Sequence, residues 1–246
     1  MSRRKKKSTL AVLVEVFGTL LYGFILLCIA IIKCIIKLFA FLFAMIGFHK
    51  TQYKTKSGNG FFKTYFNKGY WGEYQLYKRL IKVFGEDKLL TNIYLPSINT
   101  DNTEIDVLGV HNGIVYCYEM KNYNGTIYGK QTDKYWTQVL AFRIKHKFFN
   151  PLRQNYAHTQ SLKEYLGINE VEIVPIVVFN NNANLSNITV SNSRILKLNS
   201  DFHLNINDSG SLTDEEIIKR LSERTNVDEI IKEEHINQVN ELKSDL

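Results

Sequence analysis

Hydrophobic residues are concentrated near the start of the chain. Residues 16–32 form a run of 17 without a charge, and residues 38–48 add 11 more apolar positions after Lys33 and Lys37. About 20 apolar residues cross a bilayer as a helix. We therefore predict a membrane segment over residues 9–48, either as a single crossing or as a hairpin that turns near the two lysines.

Beyond the membrane segment, apolar residues recur in short periodic stretches. Leu76, Tyr77, Leu80 and Phe84 lie three and four apart, which predicts a helix over residues 69–84 with one buried face. A second helix is predicted to begin at Asn150-Pro151 and to end near Leu166. Strands are predicted over residues 89–95, 103–110, 114–121, 171–179 and 194–198.

The connections between these elements are less regular. Asn112-Gly113 is the dipeptide most typical of a two-residue hairpin turn, so the second and third strands are predicted neighbours. Residues 122–129 read as a loop, residues 136–147 fit either a strand or a helix, and Pro175 indicates an edge or a bulge. The order predicts an α/β fold with one mixed sheet flanked by helices.

These patterns divide the chain into five parts. They are a basic N-terminal tail (1–8), the membrane segment (9–48), a juxtamembrane linker (49–68), the α/β domain (69–200) and an acidic helical C-terminal tail (201–246).

Composition and charge narrow the functional classes. The chain has 246 residues, a net charge of +7 and only 3 Cys, which excludes a disulfide framework and a cysteine-rich zinc module. The first 56 residues hold 10 Lys and Arg against one acid, which is typical of contact with anionic membrane lipid. The tail from residue 201 holds 12 acids against 5 basic residues and is a candidate docking site for a protein partner.

Four charged residues stand where the pattern predicts burial. Glu73 falls on the apolar face of the first helix, and Asp106 lies inside the second strand. Glu119 and Lys121 are two apart near the end of the third strand, so they share a face. Taken singly, Glu119 and Lys121 are more typical of a solvated strand face, Asp106 fits the cap of a bend or a pair with a basic residue, and Glu73 fits a helix residue bonded to a Trp or to the backbone. Together they form D-x12-E-x-K across neighbouring strands.

This combination is suited to a hard metal ion. Asp106 and Glu119 would supply oxygen ligands to Mg²⁺ or Mn²⁺, and the backbone carbonyl of Met120 a third. Lys121 would orient or deprotonate a water, or stabilise charge on a phosphate. The chemistry that such an assembly favours is hydrolysis of phosphodiester bonds.

Residues 69–166 resemble the nuclease-related domain (NERD) family. The resemblance is carried by G-x-x-G-E at 69–73, T-E-I-D-V-L at 103–108, Y-E-M-K-N-Y-x-G-x-I-x-G at 118–129, Trp136, and N-P-x-x-Q-x-x-x-H at 150–158. This family is similar to the PD-(D/E)xK nuclease superfamily. The resemblance implies a restriction-endonuclease-like mixed sheet flanked by helices, a divalent metal and action on nucleic acid.

Carried over by motif, the resemblance implies roles for individual residues. Asp106, Glu119 and Lys121 would form the catalytic core, and Glu73 would be a helical carboxylate that joins them as a metal ligand. The proline that usually precedes the aspartate in the superfamily is absent, since Ile105 stands there.

Four further residues are candidates for binding substrate. Gln154 and His158 lie one helical turn apart, where they would contact a phosphate or shape the metal site. Asn122 and Tyr123 begin a glycine-containing segment that would bring backbone close to the phosphate. A surface or core histidine and a tight loop that closes the sheet are the alternatives. Trp136 is more typical of a core residue than of a base-stacking platform.

Two functions follow. The first is a membrane-anchored, metal-dependent nuclease acting on DNA rather than RNA, and the alternative is a catalytically silent, membrane-tethered binding or adaptor module. Basic residues flank both ends of the membrane segment, so the distribution of positive charge does not indicate which end faces the cytoplasm. We expect the domain on the cytoplasmic side of the cell membrane, because its substrate would be intracellular and free thiols such as Cys117 persist there.

Overall fold

The computed structural model of the chain describes residues 9–96, 102–191, 194–204, 207–225 and 237. The predicted basic tail (1–8) and most of the acidic tail after residue 225 lie outside the described residues. The chain divides into two compact units, Met1–Lys50 and Thr51–Leu246.

The first unit is one long helix, α1 (Thr9–His49), of 41 residues. At 1.5 Å per residue it is roughly 60 Å long. The part from Glu15 to His49 is long and apolar enough to cross a membrane, and its most apolar window has a mean hydropathy of 2.7. The helix runs unbroken through Lys33 and Lys37, so the hairpin alternative is wrong. Neither Gly nor Pro stands between residues 24 and 46 to break it.

The second unit combines helices and strands. Its helices are α2 (Tyr53–Ser57), α3 (Phe61–Phe66), α4 (Lys68–Phe84), α5 (Pro151–Leu166) and α6 (Asp214–Ser222). Its strands are β1 (Leu89–Pro96), β2 (Asn102–His111), β3 (Ile114–Lys121), β4 (Gly125–Lys130), β5 (Tyr135–Val139), β6 (Lys145–Phe149), β7 (Ile173–Phe179), β8 (Ala183–Thr189) and β9 (Arg194–Lys197).

The main sheet has five strands in the order β1-β2-β3-β7-β9. The first three are antiparallel, and β7 and β9 are parallel to β3, so the sheet is mixed. This confirms the predicted fold class, a mixed sheet flanked by helices behind an N-terminal apolar helix. Asn112 and Gly113 form the predicted turn with φ of 52° and 76°.

A second, four-stranded sheet was not predicted, since the pattern favoured a single sheet. Its order is β6-β5-β4-β8. The predicted loop over residues 122–129 is wrong because β4 occupies most of it, and the ambiguous residues 136–147 contain most of β5 and the start of β6. Gly129 explains the error. A Cβ there would lie 2.3 Å from the ring of Trp136. The glycine, which suggested a loop, is therefore a strand residue without a side chain, and the Trp136 ring packs directly against its backbone.

Pro175 also departs from its predicted place. Strand β7 is central rather than an edge, with β3 on one side and β9 on the other. Among the described residues, β9 pairs with β7 from Ile176 to Phe179, and Pro175 lies just before the first of these pairs.

Helices cover both faces of the main sheet. On one face, Phe84 of α4 packs against Gly109 and the rings of Tyr116 and Tyr118. On the other, α5 and α6 close a core with the sheet. The amide of Asn155 donates to the carbonyls of Cys117 and Ile176, which fixes α5 across β3 and β7.

Part of the predicted acidic tail belongs to this core. Ile217 and Leu221 of α6 are fully buried, and Asp214 accepts hydrogen bonds from Lys88 (2.6 Å) and from the backbone N–H of Gly113 (2.7 Å). Burial alone would raise the pKa of Asp214, but these bonds outweigh it and lower that pKa. A protein partner for the tail stays a prediction.

The predicted linker carries structure as well. Helices α2 and α3 lie within it, and the buried ring of Tyr53 packs edge-on against Tyr74 and Tyr77 of α4. The ammonium of Lys56 donates to the carbonyls of Glu86 and Leu89.

Candidate active site

The candidate site lies in a gap where β2 and β3 separate. Their paired residues run from His111↔Ile114 to Val107↔Tyr118. Beyond that pair, the side chain of Asp106 takes the place of a backbone carbonyl of β2. Its Oδ2 accepts the hydrogen bond from the backbone N–H of Met120 at 2.8 Å. The N–H and C=O of a strand residue point to the same side, so the Met120 carbonyl is directed into the same gap.

The alternation of β2 is broken at this position. Ile105 and Leu108 are three residues apart, yet both pack into the core beneath α5. Asn92, which lies across from Asp106 on β1, has a φ of 52°, a conformation typical of a bulge or kink. The irregularity explains how a strand residue can direct a carboxylate towards a neighbouring strand.

Glu119 is the centre of a buried ionic network. It is 1% exposed; its Oε1 binds the ammonium of Lys121 at 2.6 Å, and its Oε2 binds Nε2 of His158 at 3.0 Å. Lys121 also donates to Oε1 of Gln154 at 2.9 Å. Nδ1 of His158 lies 2.8 Å from the hydroxyl of Thr103. An ionised carboxylate only accepts, so Nε2 carries a hydrogen, and in the neutral ring Nδ1 accepts from Thr103.

The network keeps Glu119 and Lys121 charged. Burial alone would raise the pKa of Glu119, but Lys121 and His158 outweigh it, so that pKa is lowered. Burial alone would lower the pKa of Lys121, but the charge of Glu119 outweighs it, so that pKa is raised. Lys121 is therefore a fixed cation at neutral pH.

Glu73 and Asp106 behave in the opposite way. Burial, followed by the charges of Glu104 and Glu119, raises the pKa of Glu73 to about 8. Burial and the charges of Glu119 and Glu73 also raise the pKa of Asp106 well above its usual range. Both carboxyl groups therefore favour their protonated forms when no cation is bound.

Gly72 explains how α4 brings Glu73 to this place. A Cβ at Gly72 would lie 2.8 Å from the side chain of Asn122, so only glycine lets the helix approach the end of β3 so closely. The Asn122 amide donates to the carbonyl of Lys68 at 2.6 Å and accepts a short hydrogen bond from Asn180. One side chain thus joins α4, the end of β3 and the end of β7.

A hard divalent ion fits the groups in the gap. Among the residues described, no three His, Cys, Asp or Glu side chains are grouped closely enough to hold a metal by themselves. Mg²⁺, however, uses one or two carboxylates and completes its shell with water and other oxygens. Asp106, Glu119 and the Met120 carbonyl are such a set, and a bound cation would favour the ionised forms of Asp106 and Glu73, whose pKa values are raised without it.

The structure brings most of the predicted residues together, but the four substrate candidates are engaged within the protein. Gln154 holds Lys121, and His158 is 2% exposed and holds Glu119. Asn122 joins α4 to the ends of β3 and β7. The half-buried ring of Tyr123 packs edge-on against the ring of Phe148, with 4.7 Å between the ring centroids. Their contact with substrate stays a prediction.

Three contributors were missed from the sequence. Thr103 orients His158, Asn180 holds Asn122, and Glu104 accepts hydrogen bonds from Tyr94 (2.7 Å) and Asn92 (2.9 Å) while its charge acts on Glu73. The sequence offers a signal for Thr103 and Glu104, which begin the T-E-I-D-V-L motif that contains Asp106. Asn180 is an ordinary turn residue.

Comparison with known proteins finds a family match for the part of the chain that carries this site. Residues 68–180 match the family described as nuclease-related domain, NERD. The family indicated by the sequence motifs is thereby confirmed, and this part of the chain carries a nuclease-related domain behind a candidate membrane helix. An uncharacterized protein of Bacillus anthracis is 32% identical over 125 residues, which cover 50% of this chain and 58% of that relative. No solved structure matches the chain significantly.

Proposed function

We propose that the chain is a membrane-anchored nuclease that hydrolyses phosphodiester bonds with the help of Mg²⁺ or Mn²⁺, in DNA more readily than in RNA. The observation that supports this most is the end of the β2–β3 pairing, where Asp106 accepts the N–H of Met120 and the preceding residue, Glu119, binds Lys121. The family resemblance supports action on nucleic acid, and the choice of DNA over RNA is left to the assay below.

Each group has a role in this proposal. Asp106, Glu119 and the Met120 carbonyl would hold the ion, with Glu73 as the helical carboxylate of the same site. A bound divalent ion supplies a polarised phosphate oxygen and an activated water. Lys121 retains its proton because its pKa is raised, which favours stabilising the charge of the phosphate over abstracting a proton.

His158 and Gln154 act through other groups. His158 fixes the orientation of Glu119, and Gln154 directs the ammonium of Lys121. Such outer contacts usually change metal affinity or activity by roughly 10- to 100-fold when they are removed.

The alternative, a silent membrane-tethered module that binds nucleic acid without cleaving it, has one observation in its favour. Both oxygens of Glu119 already have partners, Lys121 on one and His158 on the other. A nuclease must share or release one of these contacts when the ion binds.

Cleavage assays separate the two functions. The full chain in detergent is incubated with labelled DNA and RNA of one sequence, with Mg²⁺, with Mn²⁺ or with chelator. We expect cation-dependent cleavage that Asp106→Asn and Glu119→Gln abolish, while Glu164→Gln, an exposed carboxylate on α5, leaves it unchanged. Binding without cleavage by the unaltered chain would favour the silent module. Cleavage that survives Glu119→Gln would refute the site.

We place the domain on the cytoplasmic side of the cell membrane, where its substrate would be. Ser186 is exposed on β8, whereas Cys117 is fully buried, so Ser186→Cys in a chain with Cys28 and Cys34 changed to Ala gives one reactive thiol. An impermeant thiol reagent should leave intact cells unlabelled and label the chain after lysis. Labelling of intact cells would place the domain outside.

A further inference from the structure

The hairpin formed by β5 and β6 ends in an unusual turn. Phe142 and Arg143 at its tip both have a φ of 59°. Two consecutive residues with positive φ define the turn for which Asn-Gly is the usual sequence, and a bulky residue there is an outlier. Strained backbone of this kind clusters at functional sites.

The tip also exposes its side chains. Phe142 is 96% exposed, so its ring contributes almost nothing to the core. Its neighbour Ile144 is half exposed. An aromatic side chain that is strained and unburied contributes little to folding, which favours a role in binding.

The surroundings of the ring are strongly basic. Residues 134–163 contain six Lys and Arg and no Asp or Glu. Arg143, Lys145, His146 and Lys147 are all exposed on this hairpin. A basic surface with an exposed aromatic ring is complementary to a nucleic acid strand, whose backbone is anionic and whose bases stack.

The hairpin lies beside the segment that leaves the candidate site. Val139 pairs with Thr126 near the start of β4, five residues after β3 ends at Lys121. Gln138 donates to the carbonyl of Asn124 at 2.7 Å. A Cβ on Gly125 would lie 2.4 Å from the Val139 carbonyl, so the two segments are in close contact.

We propose that the β5–β6 hairpin binds the nucleic acid strand, with Phe142 stacking on an unpaired base and Lys145 and Lys147 contacting backbone phosphates. This inference rests on the proposed function and specifies its substrate as single-stranded or locally opened nucleic acid. Stacking requires a free base face, which a closed duplex does not offer.

Binding measurements test this independently of cleavage. The full chain in detergent is titrated against fluorescent single-stranded and duplex DNA in the presence of chelator. Phe142→Asn removes the ring but keeps a residue that tolerates positive φ, and Phe142→Trp restores a ring. Phe66→Ser removes an aromatic side chain that is 74% exposed outside the hairpin. Lys145→Gln with Lys147→Gln is matched by Lys78→Gln with Lys82→Gln, an exposed pair on α4.

The proposal predicts a distinct pattern. Phe142→Asn should weaken single-strand binding by about 5- to 100-fold, with little change for duplex, and Phe142→Trp should retain it. The Lys145/Lys147 change should weaken binding of both and reduce the slope of log affinity against log salt by about 1.4 for single strands. Phe66→Ser and the Lys78/Lys82 pair should change affinity less than about 2-fold.

Several outcomes would overturn the inference. Unchanged single-strand affinity in Phe142→Asn would refute the stacking role, even if cleavage supports the nuclease. Quenching of Phe142→Trp by spin-labelled lipid in vesicles would assign the hairpin to the membrane instead. Conversely, the predicted binding pattern without any cleavage would support the hairpin and refute the nuclease.

Discussion

Two hairpin turns of this chain share a backbone conformation and differ in everything around it. The first, Asn112-Gly113, has the residues that the conformation favours, and Asp214 and Gly210 bind it to the C-terminal segment. The second, Phe142-Arg143, has residues that the conformation disfavours, and Phe142 projects into solvent. The first turn serves the stability of the fold, whereas the second retains strain at an exposed basic surface.

The two sheets differ in a similar way, one holding buried charged residues and the other exposed cations. The five-stranded sheet carries the carboxylates and their buried partners at the end of β3. The four-stranded sheet carries the exposed cations of β6. We therefore expect changes in the first region to affect chemistry and stability, and changes in the second to affect binding.

The largest effect should follow from Glu119→Gln. The amide keeps the shape of the side chain but removes the charge that pairs with Lys121 and would bind the ion. Cleavage should fall by roughly 1000-fold or more, because the charged groups act as a unit, while DNA affinity in chelator changes little. Rates and affinities measured on one preparation check this. A loss of binding equal to the loss of rate would mean that the two regions are not separable.

The next effect concerns the buried turn. Gly113→Ala places a Cβ in a left-handed conformation and 2.4 Å from the Leu212 carbonyl. We expect a loss of roughly 2–4 kcal/mol in the free energy of unfolding, from backbone strain and steric crowding together. Denaturant titration followed by the fluorescence of the buried Trp136 measures it.

Gly167→Ala is the matched control for this change. Gly167 has a similar φ of 69° but no atom within 4 Å of its Cβ position. It should lose only about 1 kcal/mol. Equal losses at the two positions would show that steric crowding of Gly113 by the Leu212 carbonyl does not add to the loss of stability.

A smaller effect of opposite sign is expected at the exposed turn. Replacing Phe142 by Asn and Arg143 by Gly restores the residues that two positive φ angles favour. The free energy of unfolding should rise by about 1 kcal/mol, since the strain is removed and no buried contact is lost. The same protein should bind single-stranded DNA more weakly. Reduced stability in this variant would indicate that the ring supports the fold.

The last effect is a pH dependence of stability. The pKa of Glu73 is raised to about 8 in the folded chain, so folding favours the protonated form. Its contribution to stability is complete below the ordinary pKa and is lost as the pH rises towards 8, after which the loss levels off. Without divalent cation, the unfolding midpoint should therefore decline between about pH 4.5 and 8.

Glu73→Gln tests the origin of that decline. The amide cannot ionise, so the decline should be shallower, with the raised pKa of Asp106 accounting for a remainder. Glu164→Gln should leave the decline unchanged. A profile in Glu73→Gln as steep as that of the unaltered chain would exclude Glu73 as its cause.

The elements with strong local signals were predictable from the order of residues alone. The helix over 69–84, the strand over 114–121 and the Asn112-Gly113 turn were predicted within a residue or so of their observed bounds. Periodic apolar residues and turn dipeptides act through neighbours along the chain, so they are readable without a fold. The family motifs gave Asp106, Glu119 and Lys121 as candidates for the same reason, since their spacing along two paired strands is fixed by one short turn.

The tertiary structure alone decided the partners of those residues. His158 holds Glu119 from 39 positions away, and Asn180 holds Asn122 from 58. Strands β4 and β8 pair across more than 50 residues with few apolar positions to mark them, so their sheet left no clear pattern in the sequence. The turn at Phe142-Arg143 contradicts local preference outright. Contacts between residues distant in the chain are stabilised by the fold as a whole, and no local pattern of residues records them.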